Sequence, residues 1–199
     1  MITTEGDKKK TPAGDKKPDR RVPRKMTQSR LENIALHYLD RFATSAENLR
    51  RVLTRRVRKT AYHHETDLEQ CTGWISALIE RYQQCNLLDD VAYARAQAAS
   101  HNRRGKSVRA IRAMLTTKGV PAPIIDEALE GLSEDHADPD LAAAMAYARR
   151  RRIGPYRTRE RPEKDRENEL AALARAGFSY GIARKIVTAE TIEDVYQSV

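Results

Sequence analysis

A chain of 199 residues is long enough for one large domain or several small ones, and with 40% apolar and 33% charged residues it has the balance of a soluble helical protein. Aromatic residues make up only 6%, which excludes an aromatic-rich all-β core, and no apolar run approaches the ~20 residues a membrane span needs. The formal charge of +9 is unevenly placed along the chain, which points towards an anionic partner.

Residues 1–29 are rich in Lys, Arg, Pro and Asp and nearly empty of large apolar side chains. Such a segment buries too little surface to offset the entropy of ordering, so a disordered basic tail is expected. It lacks the apolar centre of a signal peptide, and a cytoplasmic location is expected.

Helical spacing begins at Leu31, with Ile34, Ala35, Tyr38 and Leu39. Thr44 or Ser45 caps a second helix striped by Leu49, Val52, Leu53 and Val57, with Arg51, Arg55 and Arg58 on another face. Residues 58–66 read as a loop, in which His63, His64 and Glu65 lack the convergent partners of a metal site. A third helix is expected over 67–84, with Trp74, Ile75, Leu78, Ile79 and Tyr82 inward. Cys71 and Cys85 show no metal or redox spacing and are expected as buried or half-buried reduced thiols.

The next unit predicts helices near 89–102, 107–118 and 121–132. Asp89 and Asp90 stand at the start of the first, where acids favour a helix N-terminus; adjacent carboxylates there point about 100° apart, a poor geometry for a metal or acid pair. Tyr93 is expected to pack between the first and second units, the alternative being a ring that stacks on a base or a partner side chain. From Val91 to Ile125 there are seven Lys or Arg and no acid; from Gly119 to Ala148 there are seven acids and no Lys or Arg. Asp138-Pro139 opens a further helix that ends in Arg149, Arg150, Arg151 and Arg152. A basic connector, residues 153–162, contains Arg157, Arg159 and Arg161. Helices over 163–176 and after Ser179 follow, with a short last one near Asp194.

Aligning the second helix of each unit matches Leu49 and Leu53 with Ile111 and Leu115, and Leu115 and Leu173 each stand four residues before a glycine. This near-constant period predicts an all-α fold, an elongated tandem array of three three-helix repeats over 30–86, 87–134 and 135–199. Glu169 stands where an apolar residue would match Ile111.

Four stretches carry a family resemblance: "ALHYLDRFATSAENLRRVL" at 35–53, "LLDDVAYARA" at 87–96, "NRRGKSVRAIRAMLTTKGV" at 102–120 and "ELAALARAGFSYGIARKIV" at 169–187. In order and spacing they resemble the RecX regulators of the RecA recombinase. The resemblance implies three tandem three-helix modules that lodge in the groove of the RecA–DNA filament. It also implies a non-enzymatic regulator, most often a negative one, restraining ATPase, strand exchange and coprotease activity in DNA repair and the SOS response.

No P-loop, GxSxG, HExxH or zinc pattern occurs, so no catalytic residue, metal or cofactor is expected. The strongest site candidates are Arg103, Arg104, Lys106, Arg109 and Arg112, joined by Arg95, Arg149, Arg150, Arg157 and Arg159. Gly105 would let the turn approach a phosphate, and Ser107 would cap a helix whose positive end faces the same turn. Five neutralised phosphates would give a log–log salt slope near about −4 to −5. The partners expected are the RecA filament and single- and double-stranded DNA, with a monomer and no membrane. The alternative is a stand-alone helical DNA-binding protein that acts without RecA. A third reading, a nuclease using Asp89 and Asp90, would require divalent-dependent cleavage.

Overall fold

The computed structural model describes residues 24–158 and 163–197. Among the described residues there are eleven α-helices, one 3-10 turn at Gly154–Tyr156 and no strand, as the all-α expectation requires. Helix α1 (Gln28–Leu39), α2 (Ala46–Ala61) and α3 (Leu68–Gln84) enclose a first apolar cluster centred on Leu31, Leu49, Leu53 and Ile79. Helix α4 (Asp90–Arg103), α5 (Val108–Thr117), α6 (Ala122–Glu130) and the short α7 (Leu132–Asp135) surround Ala98, Ile111, Leu115 and Ile125. Helix α8 (Pro139–Arg151), α9 (Glu163–Arg175), α10 (Tyr180–Thr188) and α11 (Ile192–Gln197) enclose Ala144, Leu173, Ile186 and Val195.

The helix starts follow from local chemistry. Thr27, Ser45, Asp67, Asp89, Ser107, Asp138 and Ser179 each accept the backbone N–H three residues on. Each such cap contributes ~1 kcal/mol by satisfying a donor the helix leaves open.

Order begins before residue 30. Met26 is buried, and it precedes the Thr27 cap just as Leu31 follows it by four, so the two apolar side chains enter the same cluster and fix the entry of α1. The expected tail therefore loses its last residues to the fold, and residues 1–23 lie outside the described part. Helix α2 also takes in the first four residues, 58–61, of the expected loop, held by buried Thr60, whose hydroxyl donates to the Arg56 carbonyl at 3.1 Å. Of the two thiols, Cys71 is buried, which pushes its pKa up, whereas Cys85 is exposed at the end of α3 rather than half-buried.

Consecutive units meet through the ends of their second helices. Ser45 caps α2 and also donates its hydroxyl to the Lys118 carbonyl at the end of α5. The Ala46 N–H donates to Asp90 Oδ1 at 2.8 Å. The next joint repeats the parts: Ser107 caps α5 and donates to the Ala176 carbonyl at 2.9 Å, after α9, while the Val108 N–H donates to Asp140 Oδ1 at 2.7 Å. The start of α2 thus abuts the end of α5, and the start of α5 abuts the end of α9. Gly177 adopts φ +96°, and a Cβ there would stand 2.5 Å from Ser107 Oγ, so the socket needs glycine. Both joint carboxyls have raised pKa values, because partial burial disfavours the anion more than the backbone hydrogen bond favours it.

Candidate functional site

The turn between α4 and α5 and the end of α8 come together on one side of the second joint. Helix α4 packs on α8, and Asn102, buried, donates from Nδ2 to the Pro139 carbonyl at 2.9 Å. Gly105 is buried at φ +81°, and a Cβ there would stand 2.7 Å from the Tyr147 backbone nitrogen. The glycine therefore seats the turn against α8; its expected use, close approach to a phosphate, is corrected by that contact. The positive end of α5 is likewise already taken, since Ser107 and Asp140 satisfy its first amides.

What remains outward is side-chain charge. Arg103, Arg104, Lys106 and Arg109 are exposed, and none has an acidic partner among the described residues. Arg109 lies beside Gly177 at the second joint. Arg149, Arg150, Arg151 and Arg152 are also exposed. Arg150 ties the two groups together by donating to the Arg104 carbonyl at 2.8 Å. Arg150 and Arg151 both sit over the Tyr147 ring, at 5.7 and 5.6 Å from its centroid, a cation–π arrangement that orders long side chains. The signal for Tyr147 was present in the sequence, an aromatic three and four residues before two arginines, and reasoning from charge alone passed over it.

Three of the sequence candidates are placed differently. Arg95 pairs with Glu127 and Arg112 with Asp126, both acids from α6; the charge block without acids in sequence is partly answered in space by the next helix. Arg157 turns inward. Its guanidinium pairs with buried Glu169 and donates to the Val187 carbonyl at 2.7 Å. The pair explains how α9 tolerates an acid at the position of Ile111, and it removes Arg157 from the basic surface. Arg159, with Arg161, lies outside the described residues.

Beneath the turn, His101 is half-buried; burial, then the charges of Lys106 and Arg104, hold its pKa below the usual imidazole range. Tyr93 is half-buried and lines the crease between the exit of α1 and α4, as expected of a residue between units. Asp89 and Asp90 each accept a backbone N–H, from Ala92 and Ala46, so neither carboxylate is idle. Among the described residues no group of three or more His, Cys, Asp or Glu could hold a metal ion, and no helix is long and apolar enough to cross a membrane. The side chains that the turn and the end of α8 leave exposed are cationic: Arg103, Arg104, Lys106, Arg109 and Arg149–Arg152.

Comparison with known proteins agrees with this architecture. The family model for "RecX, second three-helix domain" matches residues 89–129, which span α4 to α6 except the last residue. A regulatory protein RecX from Myxococcus xanthus (strain DK1622) is 41% identical over 176 residues, covering 87% of this chain and 93% of that protein. One from Agrobacterium fabrum is 41% identical over 110 residues, 54% of this chain and 56% of that one. The crystal structure of RecX from Lactobacillus salivarius superposes with a TM-score of 0.56 at 20% identity, over 80% of this chain and 94% of that one, and shares the fold. By the extent and identity of the first match, this chain belongs to the RecX family of regulatory proteins.

Proposed function

We propose that this chain is a non-enzymatic regulator of the RecA recombinase that binds the RecA–DNA filament and restrains its ATPase, strand-exchange and coprotease activities in DNA repair and the SOS response. It would act in the cytoplasm, as a monomer, without a cofactor. The observation that carries the reading is the basic corner at the second joint: Arg103, Arg104, Lys106 and Arg109 without acidic partners among the described residues, next to Arg149–Arg152. A filament offers two matching anionic surfaces, the phosphates of its DNA and the carboxylates of its protein. The array also presents more than one unit to a repeating partner.

The test is ATP hydrolysis by RecA on single-stranded DNA, titrated with this protein. Arg104→Glu with Arg109→Glu should retain the wild-type circular dichroism and melt, since exposed charge changes usually alter stability by less than about 0.5 kcal/mol, yet lose suppression at equimolar dose. Arg55→Glu with Arg58→Glu, two exposed arginines of α2, changes the charge equally and should keep suppression. Equal loss in both would point to diffuse attraction. Tight binding to bare DNA with no effect on RecA would favour the stand-alone DNA-binding alternative.

A further inference from the structure

Outside the basic corner, a groove of about 550 Å³ runs between α1 and α2. Its floor is apolar: Ile34 and Val52, with Phe42 at one end. Ile34, Tyr38 and Phe42 recur every four residues along α1 and its exit, and Phe42 is 55% exposed. With the apolar floor the ring makes a contiguous apolar patch, and such patches rimmed by polar residues mark interaction sites.

The rim has one sign of charge. Arg30, Arg41, Arg56 and Lys59 line the groove with His37, and no carboxylate does. None of the four is in an ion pair among the described residues. The Nε of Arg30 is buried without a hydrogen-bond partner, a donor that a bound acceptor would satisfy.

We infer that the groove between α1 and α2 docks an acidic amphipathic segment of a partner protein, its apolar side chains on Ile34, Val52 and Phe42 and its carboxylates on Arg30, Arg41, Arg56 and Lys59. The two-part lining selects this occupant. An apolar floor takes side chains at the i, i+3, i+4 spacing of a helix, and a cationic rim takes the acids flanking them. The chain's own residues 1–23 are a poor match, because they carry seven Lys or Arg against four acids and would meet a rim of like charge. Single-stranded nucleic acid is disfavoured by the aromatics. The Tyr38 and Phe42 rings are 5.1 Å apart but tilted by 42°, and the Tyr38 hydroxyl is held by Asn48 at 3.2 Å, so no parallel stacking platform is formed. This docking site is separate from the filament surface and does not rest on the RecA reading.

The experiment uses the full chain and a fluorescein-labelled helical peptide of about four turns, leucine on one face and glutamate elsewhere. Controls are a peptide of the same composition with its leucines dispersed, and a labelled oligo-dT. The amphipathic peptide should bind. Phe42→Ala should weaken it about tenfold, as should Arg41→Glu with Lys59→Glu, with circular dichroism and melt unchanged. Arg104→Glu with Arg109→Glu should leave it intact, so failure here and failure of the filament reading are separable. Equal binding of the dispersed peptide, or peptide binding unaffected by either groove variant, overturns the proposal. So does loss of oligo-dT binding in the groove variants with peptide binding unchanged, which would make the groove a nucleic-acid site.

Discussion

The two joints are made from the same four parts and differ in what lies beside them. At the first, Glu47 holds Arg50 and Arg51, and Arg51 donates to the Thr117 carbonyl at 2.7 Å. The charge there is largely spent inside the joint. Between the exit of α1 and α4, however, runs an open crease of about 540 Å³. At the second joint α4 packs on α8 through Gly105 and Asn102, and the position matching Glu47, 62 residues on, is Arg109. One joint engages its cations within the contact and is loosely flanked; the other is packed shut and leaves its cations outside. Charge at a repeat interface can thus serve the contact or the surface, and this chain uses one joint for each.

The strongest way to break the comparison is to undo the support of α9. Arg157→Ala leaves Glu169 buried without its main partner, and the melt should report a loss of ~3–5 kcal/mol. Arg157→Met with Glu169→Leu should recover most of it, because both charges leave together. A mild single variant would mean that the pair does not hold the helix against which Ser107 docks.

The joint carboxyls come next. Asp140→Ala or Asp90→Ala leaves a backbone N–H without its acceptor and should cost ~1–3 kcal/mol. Asparagine keeps an acceptor oxygen without a charge, so Asp90→Asn and Asp140→Asn should stay near or above wild-type stability at neutral pH. The pH dependence has a definite sign. Both folded-state pKa values are raised, so the folded protein binds protons more readily than the unfolded chain. The contribution is fully present below the unfolded value of 3.8 and is lost as pH rises through the folded values. Measured against the asparagine variants, wild type should therefore gain stability as pH is lowered from neutral towards about 4.

The smallest effect concerns the crease. The Ala46 amide, bonded to Asp90 at the first joint, should exchange with solvent about tenfold faster than the Val108 amide at the second, since local opening costs least where flanking contacts are fewest. Equal protection would show that the crease does not loosen the first joint.

Much of the array could be read from residue patterns. The Ser45 and Ser107 caps, the Leu49/Leu53 and Ile111/Leu115 register and the glycines after α5 and α9 are local signals, and local physics decides them. Those that were missed depend on neighbours distant in sequence. Asp90 reads as an acid serving its own helix, and nothing local singles out Asp140; each in fact accepts an amide from the preceding unit, 44 and 32 residues away. Arg95 and Arg112 stood in a block without acids, and their partners arrive on α6 only when the unit closes. Arg157 looked like one more basic residue of a connector because the burial of Glu169 is a tertiary fact. The basic turn itself was legible, whereas its neighbour Arg149–Arg152 became part of the same surface only through the packing of α4 on α8.

The joints also bear on self-assembly. Each works as a plug and a socket: a serine-capped helix start enters the end of the next unit's second helix, under that unit's first-helix carboxylate. The middle unit carries both halves. The first unit has the plug, in Ser45, but α1 opens without an acid in its first turn, and α2 ends at Tyr62 in an ordinary right-handed conformation instead of a left-handed glycine turn. The described first unit thus lacks both parts that seat Ser45 and Ser107. A head-to-tail interface that does not close on itself would otherwise propagate into a fibre. A first unit without those parts does not extend the array through the joint used inside the chain.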